Sequence, residues 1–270
     1  MVKKHIYLFT LLIVLNINAQ TENSFKNKFI YKLTYQPDIK DVNSKISEEM
    51  LLLTNKNFSF FLSKNNFTKD SLLFSAKINN IKADRSKFSK TRFFYKILKD
   101  YTKDSITVYD EIFMDNYKYK ESKKNIKWNI RTDILTINGF KCQKATTNFS
   151  GRHYEAWFSN EIPISDGPYK FSGLPGLIIK ISDSNNHYVF ELIDQSNINE
   201  SYPYLKPTRN HYITKKSIFL KKQKEFKDNL VMKMSQSGFT LDKKHTKRIK
   251  ERQKKRNNPI ELGKAWYLDQ

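Results

Sequence analysis

Three two-residue turn signals follow one another in the middle of this chain, and they limit its fold more than any other feature. Asn138-Gly139 separates Ile134–Ile137 from Phe140–Gln143, and Ser150-Gly151 turns Phe149 back into Arg152. Asn185-Asn186 then lies between Leu177–Ser182 and Tyr188–Ile193. Asn-Gly takes positive φ at both central positions, as a type I′ hairpin requires. A two-residue loop at Ser150-Gly151 pairs Phe149 with Arg152 and Thr147 with Tyr154. One face then carries Ala145, Thr147, Phe149, Tyr154, Ala156 and Phe158, the predicted core side. The other carries Cys142, Lys144, His153, Glu155 and Trp157. In the third hairpin the same arithmetic sets Ile179 against Leu192, Ile181 against Phe190, and Lys180 against Glu191 as a cross-strand ion pair.

Upstream the pattern recurs. Phe29 to Tyr35 places large apolar groups at odd positions, the period of a half-buried strand. Met50–Thr54 and Phe58–Leu62 flank Asn55-Lys56-Asn57 as another short hairpin. Asp70 is placed to cap a short helix over Leu72, Leu73, Ala76 and Ile78. Strands resume at 93–98, 106–114 and 116–120. Neighbouring hairpins without alternating βα units predict an antiparallel sheet, not a doubly wound one. The expected fold class is α+β and β-dominated: a large curved antiparallel sheet of consecutive hairpins with one or two helices. One of those is a basic C-terminal helix, with Phe219, Phe226, Leu230 and Met234 on its apolar face and Gly238 at its end.

Twenty Phe, fifteen Tyr and three Trp supply the core such a sheet needs. Cys142 is the single cysteine, so the fold must hold without an internal disulfide. Lys3 and Lys4, the apolar run Ile6 to Leu15 and the small Ala19 read as a secretory signal peptide over residues 1–19. That run is well short of the ~20 residues that span a bilayer, so the exported chain is expected periplasmic or secreted. The organisation expected is a signal peptide at 1–19, an antiparallel β-rich domain at 20–214, a basic helical segment at 215–257, and a tail at 258–270 packing back on the domain.

The formal net charge is +22, and it is concentrated. Between Lys215 and Arg256 sixteen Lys and Arg face four Asp and Glu. Such a field attracts anionic lipid or acidic polysaccharide. Phe239 is the aromatic beside the charges of 240–257, too little for base stacking, which argues against sequence-specific nucleic acid.

Gly173-Leu174-Pro175-Gly176 packs three conformational specialists into four residues, and Leu177-Ile178-Ile179 follows as a strand entering the core. Pro175 at i+1 with Gly176 at positive φ in i+2 fits a type II turn. The chain resembles the GLPGLI family, whose signature is Gly173, Leu174, Pro175, Gly176, Leu177 and Ile178. The likeness extends through Ile137–Ala145, Gly151-Arg152, Glu155–Phe158, Glu161–Ile164 and Gly167-Pro168 to Asn258-Pro259-Ile260-Glu261. It implies an exported protein of Bacteroidetes-type bacteria and carries no catalytic or ligand residues with it.

Candidate chemistry is sparse. The signature contains no reactive group and reads as a register-setting turn or a binding loop. Cys142 and His153 share a face but lie about 20 Å apart along the strand, too far for a joint metal or thiol site. His187, His211 and His245 have no partner at ligand spacing. Asp166, Asp183 and Glu161 flank the signature, and Asp166, Asp183 and His187 form the weakest alternative, a hydrolase-like centre. No catalytic residue, cofactor or metal ligand is assigned. The leading expectation is a non-catalytic envelope protein binding a partner protein or an apolar ligand on its concave face. The alternative is a cationic interaction protein using 215–257 on acidic envelope surfaces.

Overall fold

The computed structural model describes residues 24–205 and 210–262; the expected signal peptide and residues 263–270 lie outside them. Twelve strands form one sheet. In chain order they are β1 (Phe25–Tyr35), β2 (Ile46–Thr54), β3 (Phe58–Ser63), β4 (Lys96–Asp100), β5 (Ser105–Ile112) and β6 (Asp115–Glu121). Then come β7 (Asn129–Ile137), β8 (Phe140–Phe149), β9 (Arg152–Ser159), β10 (Leu177–Asp183), β11 (Tyr188–Glu200) and the short β12 (Tyr212–Ile213). The spatial order is β12-β6-β5-β4-β3-β2-β1-β11-β10-β9-β8-β7. All neighbours are antiparallel except β12 and β6. The sheet is thus two runs of consecutive hairpins, joined where β1 pairs with both β2 and β11.

Two of the hairpins turn as expected, whereas the third keeps its expected register through a four-residue turn, Ser184–His187, in place of the two-residue loop at Asn185-Asn186. Asn138 and Gly139 have φ of 51° and 85°, and Ser150 and Gly151 have 47° and 82°, the paired positive values of type I′ turns. Thr147 pairs with Tyr154 and Phe149 with Arg152. Lys180 pairs with Glu191, their side chains 3.4 Å apart, and Ile181 pairs with Phe190. The face bearing Ala145, Phe149, Tyr154, Ala156 and Phe158 is buried in the main core.

Helix α1 (Lys64–Ile78) covers part of the other face, near a second core of Phe25, Leu51, Leu53, Phe60, Leu62 and Leu205. It begins earlier than its sequence pattern suggests. Ser63 is the N-cap, accepting from the Asn66 N–H, because the chain enters the helix straight from β3. Asp70 instead lies inside the helix and pairs with Lys96 at 2.7 Å. The basic segment forms three helices rather than one amphipathic helix: α2 (Lys216–Asp228), α3 (Leu230–Gln236) and α4 (Lys243–Lys254). The break falls at Asn229.

The sheet curls around residues 160–176, which link β9 to β10. Phe171 is fully buried, with its ring against Phe149 of β8 and Tyr154 of β9, while Tyr169 packs on Tyr95. Lys170, between them, reaches Glu121 at the far end of β6. One short segment therefore bridges strands that stand far apart in the sheet order. The chain's own side chains therefore fill the space between these strands.

Candidate functional site

The signature turn is built differently from a type II turn. The Gly176 N–H donates to the Leu174 carbonyl at 2.8 Å, closing a three-residue turn centred on Pro175. Positive φ belongs to Gly173, at 95°, and not to Gly176. Gly176 is needed for closeness instead, since a Cβ there would sit 2.2 Å from the Ser159 carbonyl oxygen. Gly173 and Pro175 are exposed, whereas Leu174, Leu177 and Ile178 are buried in the core. The apolar residues of the signature thus anchor the turn, and its Gly–Pro corner reaches the surface.

Beneath the turn lies a buried ion pair. Asp166 and Lys99 are both without solvent exposure and bonded to each other. Lys99 also donates to the Gly167 carbonyl at 2.6 Å, and the Tyr101 hydroxyl donates to the other Asp166 oxygen. Burial lowers the Lys99 pKa, Asp166 opposes that, and the charge of Lys123 lowers it further. Burial, then the Asp166 charge, pushes the Tyr101 phenol far up, so it stays a donor.

A second cluster closes the interior. Lys170 is bonded to Glu121 and Glu261, and Lys216 of α2 bonds the same two carboxylates at 2.8 and 2.5 Å. Burial opposes ionisation of Glu261, but Lys170 and then Lys216 outweigh it and bring its pKa to about 2. Arg152 binds Asp183 at 2.9 Å and the Pro259 carbonyl at 2.6 Å, and its other donors reach Asn258 and Ile260. Tyr188 donates to the Asn258 carbonyl at 2.6 Å. Residues 258–261 are thereby held by the sheet, the signature segment and α2.

Outside this polar frame, next to the signature turn, lies an open cavity of about 870 Å³. Its wall comes from the start of β1, the β2–β3 and β4–β5 turns, the stretch after β6, and Ser165, Ser172 and Gly173. Five lysines line it, Lys26, Lys56, Lys103, Lys123 and Lys124, against the single carboxylate of Asp104. That carboxylate is already engaged by the Ser122 hydroxyl at 2.5 Å, which with the Lys124 N–H lowers its pKa. Lys56, Lys103 and Lys124 are exposed and have no carboxylate within ion-pair distance among the described residues. Trp128 stands in the wall, its indole N–H donating to the Ser172 carbonyl at 2.9 Å. Asn55, 9% exposed, also lines the cavity with its Nδ2 unpartnered.

The residues singled out in the sequence fall elsewhere. Cys142 is buried, and burial pushes its thiol up to about 11. Lys144, Glu155 and Trp157 form a surface ladder, with Lys144 2.6 Å from Glu155 and the Trp157 N–H donating to it. His153 bonds Asn148, His211 packs on Tyr109, and His245 pairs with Asp242. Glu161 accepts from the Lys141 N–H. Asp183 and His187 lie 3.8 Å apart, but Asp166 is not with them. Its backbone meets Ile178, five residues along β10 from Asp183, a span of about 16 Å. Among the described residues no group of three His, Cys, Asp or Glu is placed to hold a metal ion. No helix there is long and apolar enough to cross a membrane. The cavity lysines gave no sequence signal because they come from four separate turns and strand ends.

A family model described as "Protein of unknown function (Porph_ging)" matches residues 95–180. That stretch runs from β4 through the signature turn into β10 and includes the Lys99–Asp166 pair. Curated proteins give no match. Among solved structures the chain is similar to PNGF-II, in its C2 and P21 crystal forms, with a TM-score of 0.52 and 14% identity in each. The likeness covers 73% of this chain and 32% of PNGF-II, so this chain spans about a third of the length of that relative. At this identity the comparison establishes the fold alone.

Proposed function

We propose that this is an exported, non-catalytic envelope protein of the GLPGLI type, and that its lysine-lined cavity holds a segment of acidic polysaccharide. The observation that carries the reading is the charge imbalance in the cavity, five ammonium groups against one engaged carboxylate. The lysines outnumber the carboxylates along this wall, and an anionic ligand would balance that excess of positive charge. The size of the cavity suits several sugar units, and Trp128, Tyr101 and Asn55 add the aromatic and amide groups that orient such a ligand. The separation of Asp166 from Asp183 and His187 gives no support to a hydrolase-like centre.

Calorimetric titration with an oligogalacturonate, and with a neutral dextran of equal length, tests the proposal. Binding of the acidic chain alone is expected, weakening as salt rises. Lys103→Glu/Lys124→Glu is expected to lower affinity about tenfold or more, the scale of losing two close charge contacts. Lys243→Glu/Lys244→Glu, on α4, is expected to change it little. Equal binding by the cavity variant would refute the reading.

A partner protein is the second reading, favoured by β7. This strand lies at the end of the sheet order, and Ile130, Ile134 and Leu135 are about half exposed on it. Its register slips between Ile130 and Ile134, an irregularity that guards an edge against indiscriminate pairing.

A further inference from the structure

The end of the sheet opposite the cavity carries a surface of another kind. β5 leaves the cavity side at Ser105 and reaches Ile112, where Phe113 and Met114 turn the chain into β6. At ~3.3 Å per residue this turn stands about 25 Å from the cavity. Phe113 has φ of 61°, a conformation that a bulky side chain adopts only at a cost. Ring contacts hold it there. Its ring stacks on Phe226 of α2 at 5.4 Å and meets Phe239, beyond α3, edge-on at 5.7 Å. This cluster still leaves Met114 70% and Phe239 45% exposed.

Glu111 and Asp115 flank that apolar tip in the chain, but the helices beside it carry a large basic excess. The helices beside it come from the segment in which sixteen Lys and Arg face four Asp and Glu. On α4 alone seven basic residues accompany Glu251. Exposed Met and Phe within a cationic field match the two contributions that hold a protein on a membrane surface. Apolar groups enter the boundary between headgroups and acyl chains, while lysines gather anionic headgroups around them.

We infer that the Phe113–Met114 turn and Phe239 form a docking tip for an anionic phospholipid membrane, with α2–α4 supplying the electrostatic attraction. Docked in this way, the lysine-lined cavity faces away from the bilayer, open to polymers outside it. The tip shares no residue with the cavity, so either assignment can fail without the other.

Sedimentation of the protein with vesicles of phosphatidylglycerol and phosphatidylcholine, and of phosphatidylcholine alone, tests the inference. Partitioning onto the anionic vesicles alone is expected at low ionic strength, with release at about 0.5 M salt. Met114→Ser, which removes no ring contact, is expected to weaken partitioning several-fold, with circular dichroism and thermal midpoint unchanged. Lys103→Glu/Lys124→Glu, at the cavity, is expected to leave it unchanged. An environment-sensitive dye on Met114→Cys gives a second readout, blue-shifting on anionic vesicles. Undiminished binding by the Ser variant, or a dye that stays in water on bound protein, would overturn the inference. So would retention on dextran sulfate without partitioning onto vesicles.

Discussion

Lys99 and Lys103 stand four residues apart in the chain and serve opposite ends. Lys99 is shut inside the curled sheet against Asp166, whereas Lys103 stands in the open cavity with no carboxylate within ion-pair distance. Lys170 and Arg152 follow the first pattern, Lys56 and Lys124 the second. Desolvating an ammonium group is costly, so the interior keeps one only where a carboxylate and carbonyls surround it. At the surface that cost is absent, so lysines there can stand without a carboxylate. Buried cations build this protein, and the exposed ones are those the proposed acidic ligand would meet.

The largest effect should come from breaking the interior pattern. Lys170→Met leaves Glu121 and Glu261 with Lys216 as their one remaining cation in that cluster, and urea unfolding should show a loss of about 3–5 kcal/mol. Gly176→Ala places a methyl against the Ser159 backbone and should cost about 2–3 kcal/mol, visible as a lower urea midpoint.

Acid acts on the same interior. The folded-state pKa of Glu261 is depressed to about 2, so its contribution is present above its ordinary value of 4.5. It is lost as pH falls from about 4.5 towards 2. Asp110 works the other way, because burial, with Glu111 adding to it, pushes its carboxyl up to about 7. Its native proton favours folding in acid, and that advantage fades as pH rises from about 4 to about 7. Melting curves across this range should therefore lose their acid slope in Glu261→Gln and their slope towards neutrality in Asp110→Asn. At the cavity, Lys103→Glu/Lys124→Glu should shift stability by less than about 0.5 kcal/mol, since no structural contact is lost. A larger shift would mean that these lysines also build the fold.

The two regions were unequally legible in the sequence. The hairpins at Asn138-Gly139 and Ser150-Gly151 and the Lys180–Glu191 register follow from two-residue turns and period-two patterns, which act locally. The start of α1 at Ser63 was obscured because β3 runs directly into the helix, so that the polar run Ser63–Asn66, which has the composition of a loop, is instead the cap and first turn. Gly176 announced a turn, but its closeness to Ser159 depends on the β9–β10 pairing. The ion clusters were least visible, since Lys170 meets Glu121 and Glu261 across 49 and 91 residues. The charge of 215–256 is contiguous in the chain and so conspicuous, whereas the cavity lysines are scattered over four turns and strand ends.

Amine-reactive labelling read by mass spectrometry, with and without an oligogalacturonate, tests the contrast most directly. Lys56, Lys103 and Lys124 should label readily in the free protein and become protected by the acidic chain. Lys99 and Lys170 should resist labelling in both states, and Lys243 and Lys244 should label in both. Rapid labelling of Lys99 and Lys170 in the native protein, or protection confined to the C-terminal helices, would contradict the account.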